Sequence, residues 1–221
     1  MTHKKPFILL GREVRVVRKK DFVRPQPNPA LFEDYDAVPM KYGCIGLVAY
    51  ILAIAAGFFL GGGITVRYAA YIREVLVVRL GAAATVCMLL ALLGAAAIVT
   101  MVAHEFFHFI ALPQGGGARA EVVLHLNLPL GIGFVNSECL GKRRAVFLSL
   151  CPLVFLSALL GLCAVVVENS LAEYILLMAM AVNVVSSGID VIRAGYIMLK
   201  TPKNAKICLG YAFVPRETVG D

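Results

Sequence analysis

Three stretches of the chain carry no charged residue over lengths that suit a lipid bilayer: residues 42–66, 80–103 and 145–167. A helix needs about 20 consecutive apolar residues to cross the hydrocarbon core. A fourth apolar run begins after Glu173 and continues to Leu199, broken only by Asp190 and Arg193. One such run is compatible with a buried helix of a soluble protein; four in a short chain predict a helical bundle with about four transmembrane spans.

Two stretches follow a different period. Residues 7–17 are rich in Val, Ile and Leu and then alternate with charge. Residues 121–128, EVVLHLNL, alternate more cleanly: Val122, Leu124, Leu126 and Leu128 share one face, with Glu121, His125 and Asn127 on the other. PLGIG at 129–133 predicts a turn before a partner strand at 134–138. A small β hairpin or sheet is therefore expected between the second and third spans, and a free edge of the 121–128 strand would suit an extended peptide. RPQPN at 24–28 marks a linker before the first span. The expected organisation is a polar, basic arm over 1–41, a membrane-embedded domain over 42–199 with a strand-rich insert at about 113–144, and a basic tail over 200–221. The fold class is mainly α.

Composition agrees with this pattern. The chain has 221 residues, 60% hydrophobic and 16% charged, against roughly 45–50% and about 25% in soluble domains. The formal net charge of +7 is concentrated in the flanks and loops. Those charges have little aromatic interleaving, so membrane topology and lipid headgroups account for them and no nucleic-acid partner is expected. Nine Lys and Arg fall in residues 1–41; Arg119, Lys142, Arg143 and Arg144 precede the third span, and Lys200, Lys203, Lys206 and Arg216 follow the fourth. The link between spans three and four has Glu168 and Glu173 but no basic residue. The positive-inside rule then places both termini in the cytoplasm, with the protein integral to a membrane, the cell membrane being the first choice. RYAAYIREVLVV at 67–78 disagrees, because its arginines fall in the first outside loop; an interfacial helix or a first span that is not a simple crossing would explain it. No cleavable signal peptide is expected, since the first long apolar run starts only near Tyr42. The six cysteines form no CxxC pair, and four lie in apolar runs, so no disulfide is expected.

The chemistry lies at the end of the second run, where the sequence reads HEFFH from His104 to His108. Residues four apart share a helix face, so His104 and His108 can aim two imidazoles at one Zn2+ ion. Glu105 lies beside them, positioned to act as general base toward water. The bland alternative is a pair of helix-end histidines at the membrane interface. A catalytic zinc site needs a third protein ligand. The metzincin continuation fails, because Ala111 and Gln114 stand where glycine and histidine would be required. Three acids remain in helical apolar sequence after the motif: Glu168, Glu173 and Asp190.

Depth separates them. His104 lies about 36 Å into its span and Asp190 about 28 Å into a parallel one, at ~1.5 Å per residue. Glu168 and Glu173 fall at the opposite surface. Asp190 is thus the expected third ligand, with an i+3 ion pair to Arg193 as the competing use of its carboxylate. Asn183, Ser187 and Asp190 share a helical face. Ser187 or Asn183 can orient a ligand from outside the metal shell, or simply mediate helix packing. His125 is a candidate for orienting substrate, or an ordinary surface histidine. The glycine run at 115–117 lets the chain turn after the motif.

HEFFHF, KRRAVFLSLCPLVFLSAL, NVVSSGID and LKTPKNAKICLGYAFVP together resemble the family of membrane proteins known as putative zincin peptidases, over about residues 95–215. That family is similar in turn to site-2 proteases, which cut within the membrane using HExxH and a distal aspartate. The resemblance implies His104, His108 and Asp190 as ligands and Glu105 as base. In place of the site-2 pattern Asn-x-x-Pro this chain has Ser186, and in place of Leu-Asp-Gly it has Ile189, Asp190 and Val191. The expected function is a zinc-dependent, membrane-embedded metallopeptidase acting on a membrane protein or peptide, with lipids as further partners. An inactive membrane scaffold or a metal-handling protein is the alternative, and neither of those needs Glu105.

Overall fold

The structure is a computed structural model, and it describes residues 7–9, 12–18, 27–28, 32–35, 44–112, 120–125, 131–136, 139–208 and 211–215. The chain divides into two compact units, one comprising Cys44–His104 and Cys151–Ile189, the other Met1–Gly43, Glu105–Leu150 and Asp190–Asp221.

The first unit is helical, and its helices continue along the chain into residues 105–111, 142–150 and 190–200 of the second unit. Helix α1 (Cys44–Tyr71) runs through a π-turn (Ile72–Val77) into α2 (Val78–Leu80). The arginine-bearing segment after the first run is thus a helical continuation of it. Gly81 ends this helix with a φ of +80°, a conformation that costs glycine little. Helix α3 (Ala82–Ala111) follows and carries the HEFFH sequence at its end. After α4 (Lys142–Cys151) comes a π-turn (Pro152–Leu156) leading into α5 (Ser157–Val166). Helix α6 (Ser170–Ser186) starts at Asn169, whose side chain accepts from the Ala172 N–H at 3.0 Å. It stops at Ser187, and α7 (Gly188–Lys200) begins directly after.

Small residues let α1 and α6 meet. A Cβ on Gly57 would lie 2.0 Å from Val185 Cγ2, whereas one on Gly61 would meet Met178 Cε at an ordinary 3.5 Å. This is close helix packing through Gly-x-x-x-Gly. Gly57→Ala is therefore expected to destabilise the protein by about 1–3 kcal/mol, as overpacked sites do, while Gly61→Ala is tolerated. Thermal denaturation in detergent measures both; equal midpoints for the two variants would refute the packing account. Further along, Tyr68 and Tyr174 pack at 5.6 Å between ring centroids.

Much apolar side chain stays uncovered on this unit: Phe58 is 77% exposed, Phe59 83% and Val165 83%. Soluble monomers rarely leave such patches in water. Among the described residues, Ala82–Ala111 and Lys142–Val166 are long and apolar enough to cross a membrane, and the bent pair α6 and α7 makes a third if counted as one span. The helices are thus compatible with membrane insertion. The first expected run is helical as well, within α1.

The second unit holds two four-stranded sheets, ordered β1-β2-β4-β5 and β3-β8-β7-β6. The strands are β1 (Phe7–Leu9), β2 (Arg12–Arg18), β3 (Phe32–Tyr35), β4 (Ala120–His125), β5 (Gly131–Asn136), β6 (Leu140–Gly141), β7 (Lys206–Cys208) and β8 (Tyr211–Pro215). The expected hairpin is present as antiparallel β4 and β5, with His125 opposite Gly131, so its second strand starts earlier than 134. The stretch 7–17 is two antiparallel strands rather than one. Strand β4 also pairs in parallel with β2. Both of its edges are occupied, so the strand addition expected of it is closed, and β1 and β5 are the outer strands.

Within this unit, a core of Leu140, Ala145, Ile197, Ala205, Ile207 and Ala212 packs the second sheet against α4 and α7. The basic residues before the third run have local work. Lys142 Nζ donates to the Met198 and Thr201 carbonyls at 2.9 and 2.6 Å, and Arg144 Nη2 to the Ala111 carbonyl at 2.9 Å. Each supplies positive charge to a helix C-terminus. One expectation is corrected. Cys139 and Cys208 form a disulfide with their Cα atoms 4.4 Å apart. The pairing of Leu140 with Ile207 aligns the neighbouring cysteines. That register joins segments 69 residues apart, which cysteine spacing alone does not reveal.

Candidate metal centre

The i, i+4 spacing within α3 places His104 and His108 on one helix face, and burial follows that face. Thr85, Thr100, His104 and Ala111 are buried, while Val99, Met101 and Val102 are exposed. His104 is 4% exposed and Asp190 8%. One ligand atom from each of His104, His108 and Asp190 can be chosen so that all lie within 4.8 Å of one another. Glu105 sits between the two histidines in sequence and is half-buried.

The contacts of each imidazole define which nitrogen carries a hydrogen. His108 Nδ1 lies 2.9 Å from the Leu148 carbonyl. A carbonyl only accepts, so Nδ1 carries a hydrogen, and in the neutral ring the lone pair lies on Nε2. His108 Nε2 is 3.4 Å from Asp190 Oδ2. Charge-assisted hydrogen bonds are shorter, about 2.7–2.9 Å. Two ligands each about 2.0–2.1 Å from a tetrahedral zinc stand roughly 3.3–3.4 Å apart. The separation fits a shared metal better than a direct hydrogen bond. The other carboxylate oxygen, Asp190 Oδ1, is 3.6 Å from Arg193 Nη1. The two expected uses of Asp190 are thus not exclusive, because each takes its own oxygen.

His104 Nδ1 lies 2.9 Å from Asn183 Oδ1. Asn183 is fully buried, and its Nδ2 donates to the Pro152 carbonyl at 3.0 Å and to Ser157 Oγ at 2.9 Å. Of the two polar residues expected beside the site, Asn183 is the one that touches a histidine. Ser187 donates from its hydroxyl to the Asn183 carbonyl at 2.8 Å, satisfying backbone at the end of α6. His125 falls in β4, but its side chain lies outside the described residues. Glu168 and Glu173 are not among the clustered acids, and Glu173 pairs with Arg67 at 3.7 Å instead. Sequence reasoning missed Leu148, Pro152 and Ser157. The one signal for them was a proline in the middle of an apolar run.

Two nitrogens and one carboxylate oxygen, converging from mostly buried side chains, make a donor set suited to zinc. Residues 97–206 match the model of a family described as "putative zincin peptidase". That stretch contains the HEFFH sequence, Asn183 and Asp190. No curated protein and no solved structure matches the chain.

Proposed function

We propose that the protein is a zinc-dependent metallopeptidase embedded in a membrane, hydrolysing peptide bonds in or near the bilayer. The observation that carries this reading is the convergence of His104, His108 and Asp190 within one 4.8 Å cluster at the end of an apolar helix. Ionisable groups buried in such a setting are costly unless they serve a function. The family match supports the same chemistry.

His104 and His108 would hold the metal through Nε2 and Asp190 through a carboxylate oxygen. Zinc there supplies Lewis acidity to the scissile carbonyl and to the attacking water. Glu105 accepts the proton as water attacks and delivers it to the departing amine. Its place one residue from His104 keeps it on the metal-facing end of α3 without making it a ligand.

Glu105→Gln separates this reading from a scaffold or metal-handling role. The amide keeps the size of the side chain and cannot take a proton. Zinc content is expected to stay at the parent level while hydrolysis of a fluorogenic peptide library in detergent micelles falls by about 10²–10⁴-fold, the usual contribution of a general base. Parent-like cleavage in the variant would remove the proposed mechanism.

A further inference from the structure

We infer that Pro152 is a positioning residue for both candidate metal-binding histidines, an inference that rests on the metal-centre reading above. The starting point is a missing donor. In an α-helix the N–H of residue 152 would donate to the carbonyl of residue 148. Proline has no N–H, so the Leu148 carbonyl lacks its ordinary helical partner. His108 Nδ1 meets that carbonyl at 2.9 Å. The proline thus leaves open the acceptor that fixes the His108 tautomer and aims Nε2 toward Asp190, 3.4 Å away.

The second contact comes from Pro152's own carbonyl. Pro152 opens the π-turn Pro152–Leu156, a helix irregularity that frequently marks functional sites. Its carbonyl accepts one hydrogen of Asn183 Nδ2 at 3.0 Å, and Ser157 Oγ, directly after the turn, accepts the other at 2.9 Å. Both amide hydrogens are committed. The amide cannot turn over, because its oxygen would then face the Pro152 carbonyl oxygen. Asn183 Oδ1 is therefore held against His104 Nδ1 at 2.9 Å. An amide oxygen only accepts, so Nδ1 bears the hydrogen, and in the neutral ring the lone pair of His104 lies on Nε2. Asn183 is fully buried, so water does not compete for these bonds. One residue thereby sets the same tautomer on both imidazoles, through its absent N–H in one case and its carbonyl in the other.

A proline inside a helix ordinarily destabilises it. Alanine at 152 restores the N–H, which competes with His108 for the Leu148 carbonyl, and relaxes the turn that presents the 152 carbonyl to Asn183. Zinc affinity of the full-length Pro152→Ala protein in detergent, measured by chelator competition, is expected to fall about 10–100-fold, the usual effect of losing a partner of a metal ligand. The thermal midpoint of the metal-free variant is expected to match or exceed the parent's. The visible spectrum of the Co2+-loaded variant is expected to change, because ligand geometry changes. Ser157→Ala, which removes one of the two acceptors of the Asn183 amide and leaves the proline in place, is expected to lower zinc affinity by about tenfold. It decides the matter if Pro152→Ala does not fold. Parent-like zinc affinity and Co2+ spectrum in a folded Pro152→Ala protein, or in Ser157→Ala where the first does not fold, would overturn the inference while leaving the metal centre intact. Failure of the parent itself to bind zinc or Co2+ would overturn the metal-centre reading, and this inference with it.

Discussion

His108→Ala is expected to empty the site of zinc. The substitution removes one of two nitrogen donors from a three-residue cluster. It also leaves the Leu148 carbonyl without its imidazole partner, and Asp190 Oδ2 without the neighbour now 3.4 Å away. Two remaining donors hold zinc weakly, so the loss should exceed the roughly 10–100-fold cost of removing a residue that only supports a ligand. Protein purified in mild detergent should fall from about one zinc per chain to a trace by elemental analysis. His125→Ala is the matched control: it removes the histidine of β4, which is not one of the three proposed ligands, and should keep full zinc content. Stoichiometric zinc in His108→Ala would mean that the ion is bound elsewhere.

The parts of this site that were legible in the sequence are those set by helical periodicity. The i, i+4 spacing of His104 and His108 has the same consequence in any helix, and Asp190 followed from counting residues along two apolar runs. The helices themselves were legible for the same reason, since an uninterrupted apolar stretch of that length admits few other structures. The polar face of α6 was visible too, but not which of its members touches a histidine. Asn183 and Ser187 are one helical turn apart, and only the placement of Pro152 and Ser157 gives Asn183 its fixed orientation. Backbone acceptors are harder still. Every residue carries a carbonyl, so nothing in the side chain of Leu148 marks it as the partner of His108; the hint was four residues later, in the proline. Strand pairing was largely hidden. Alternation in 121–128 predicted a strand but not its neighbours on both sides. The partnership of β6 with β7, and hence the Cys139–Cys208 disulfide, depends on a register between distant segments.

Asp190→Ala gives the sharpest test of the third ligand, because the carboxylate lies beside both a histidine and an arginine and the substitution removes both contacts. One oxygen stands 3.4 Å from His108 Nε2 and the other 3.6 Å from Arg193 Nη1. Both distances exceed those of strong charge-assisted hydrogen bonds, and a cation shared with the histidines would supply the charge that a buried aspartate requires. Under that account Asp190→Ala loses zinc by more than about 100-fold, beyond what loss of an outer partner costs. Arg193→Ala keeps zinc within a few-fold of the parent. Its guanidinium is about a third exposed, and partly solvated pairs contribute little, about 0–1 kcal/mol. Asp190→Asn sharpens the contrast. It preserves the shape of the side chain and can still accept from Arg193, but it carries no charge and is a poor zinc ligand. If Asp190 serves only the ion pair, Asp190→Ala and Arg193→Ala should lower the thermal midpoint alike and leave zinc bound in both. If it is a ligand, Asp190→Ala and Asp190→Asn both lose zinc, and added zinc raises the thermal midpoint of the parent and of Arg193→Ala but not of the two Asp190 variants. Zinc titration followed by thermal denaturation of the four proteins distinguishes these outcomes, and parent-like zinc affinity in Asp190→Asn would exclude the carboxylate as the third ligand.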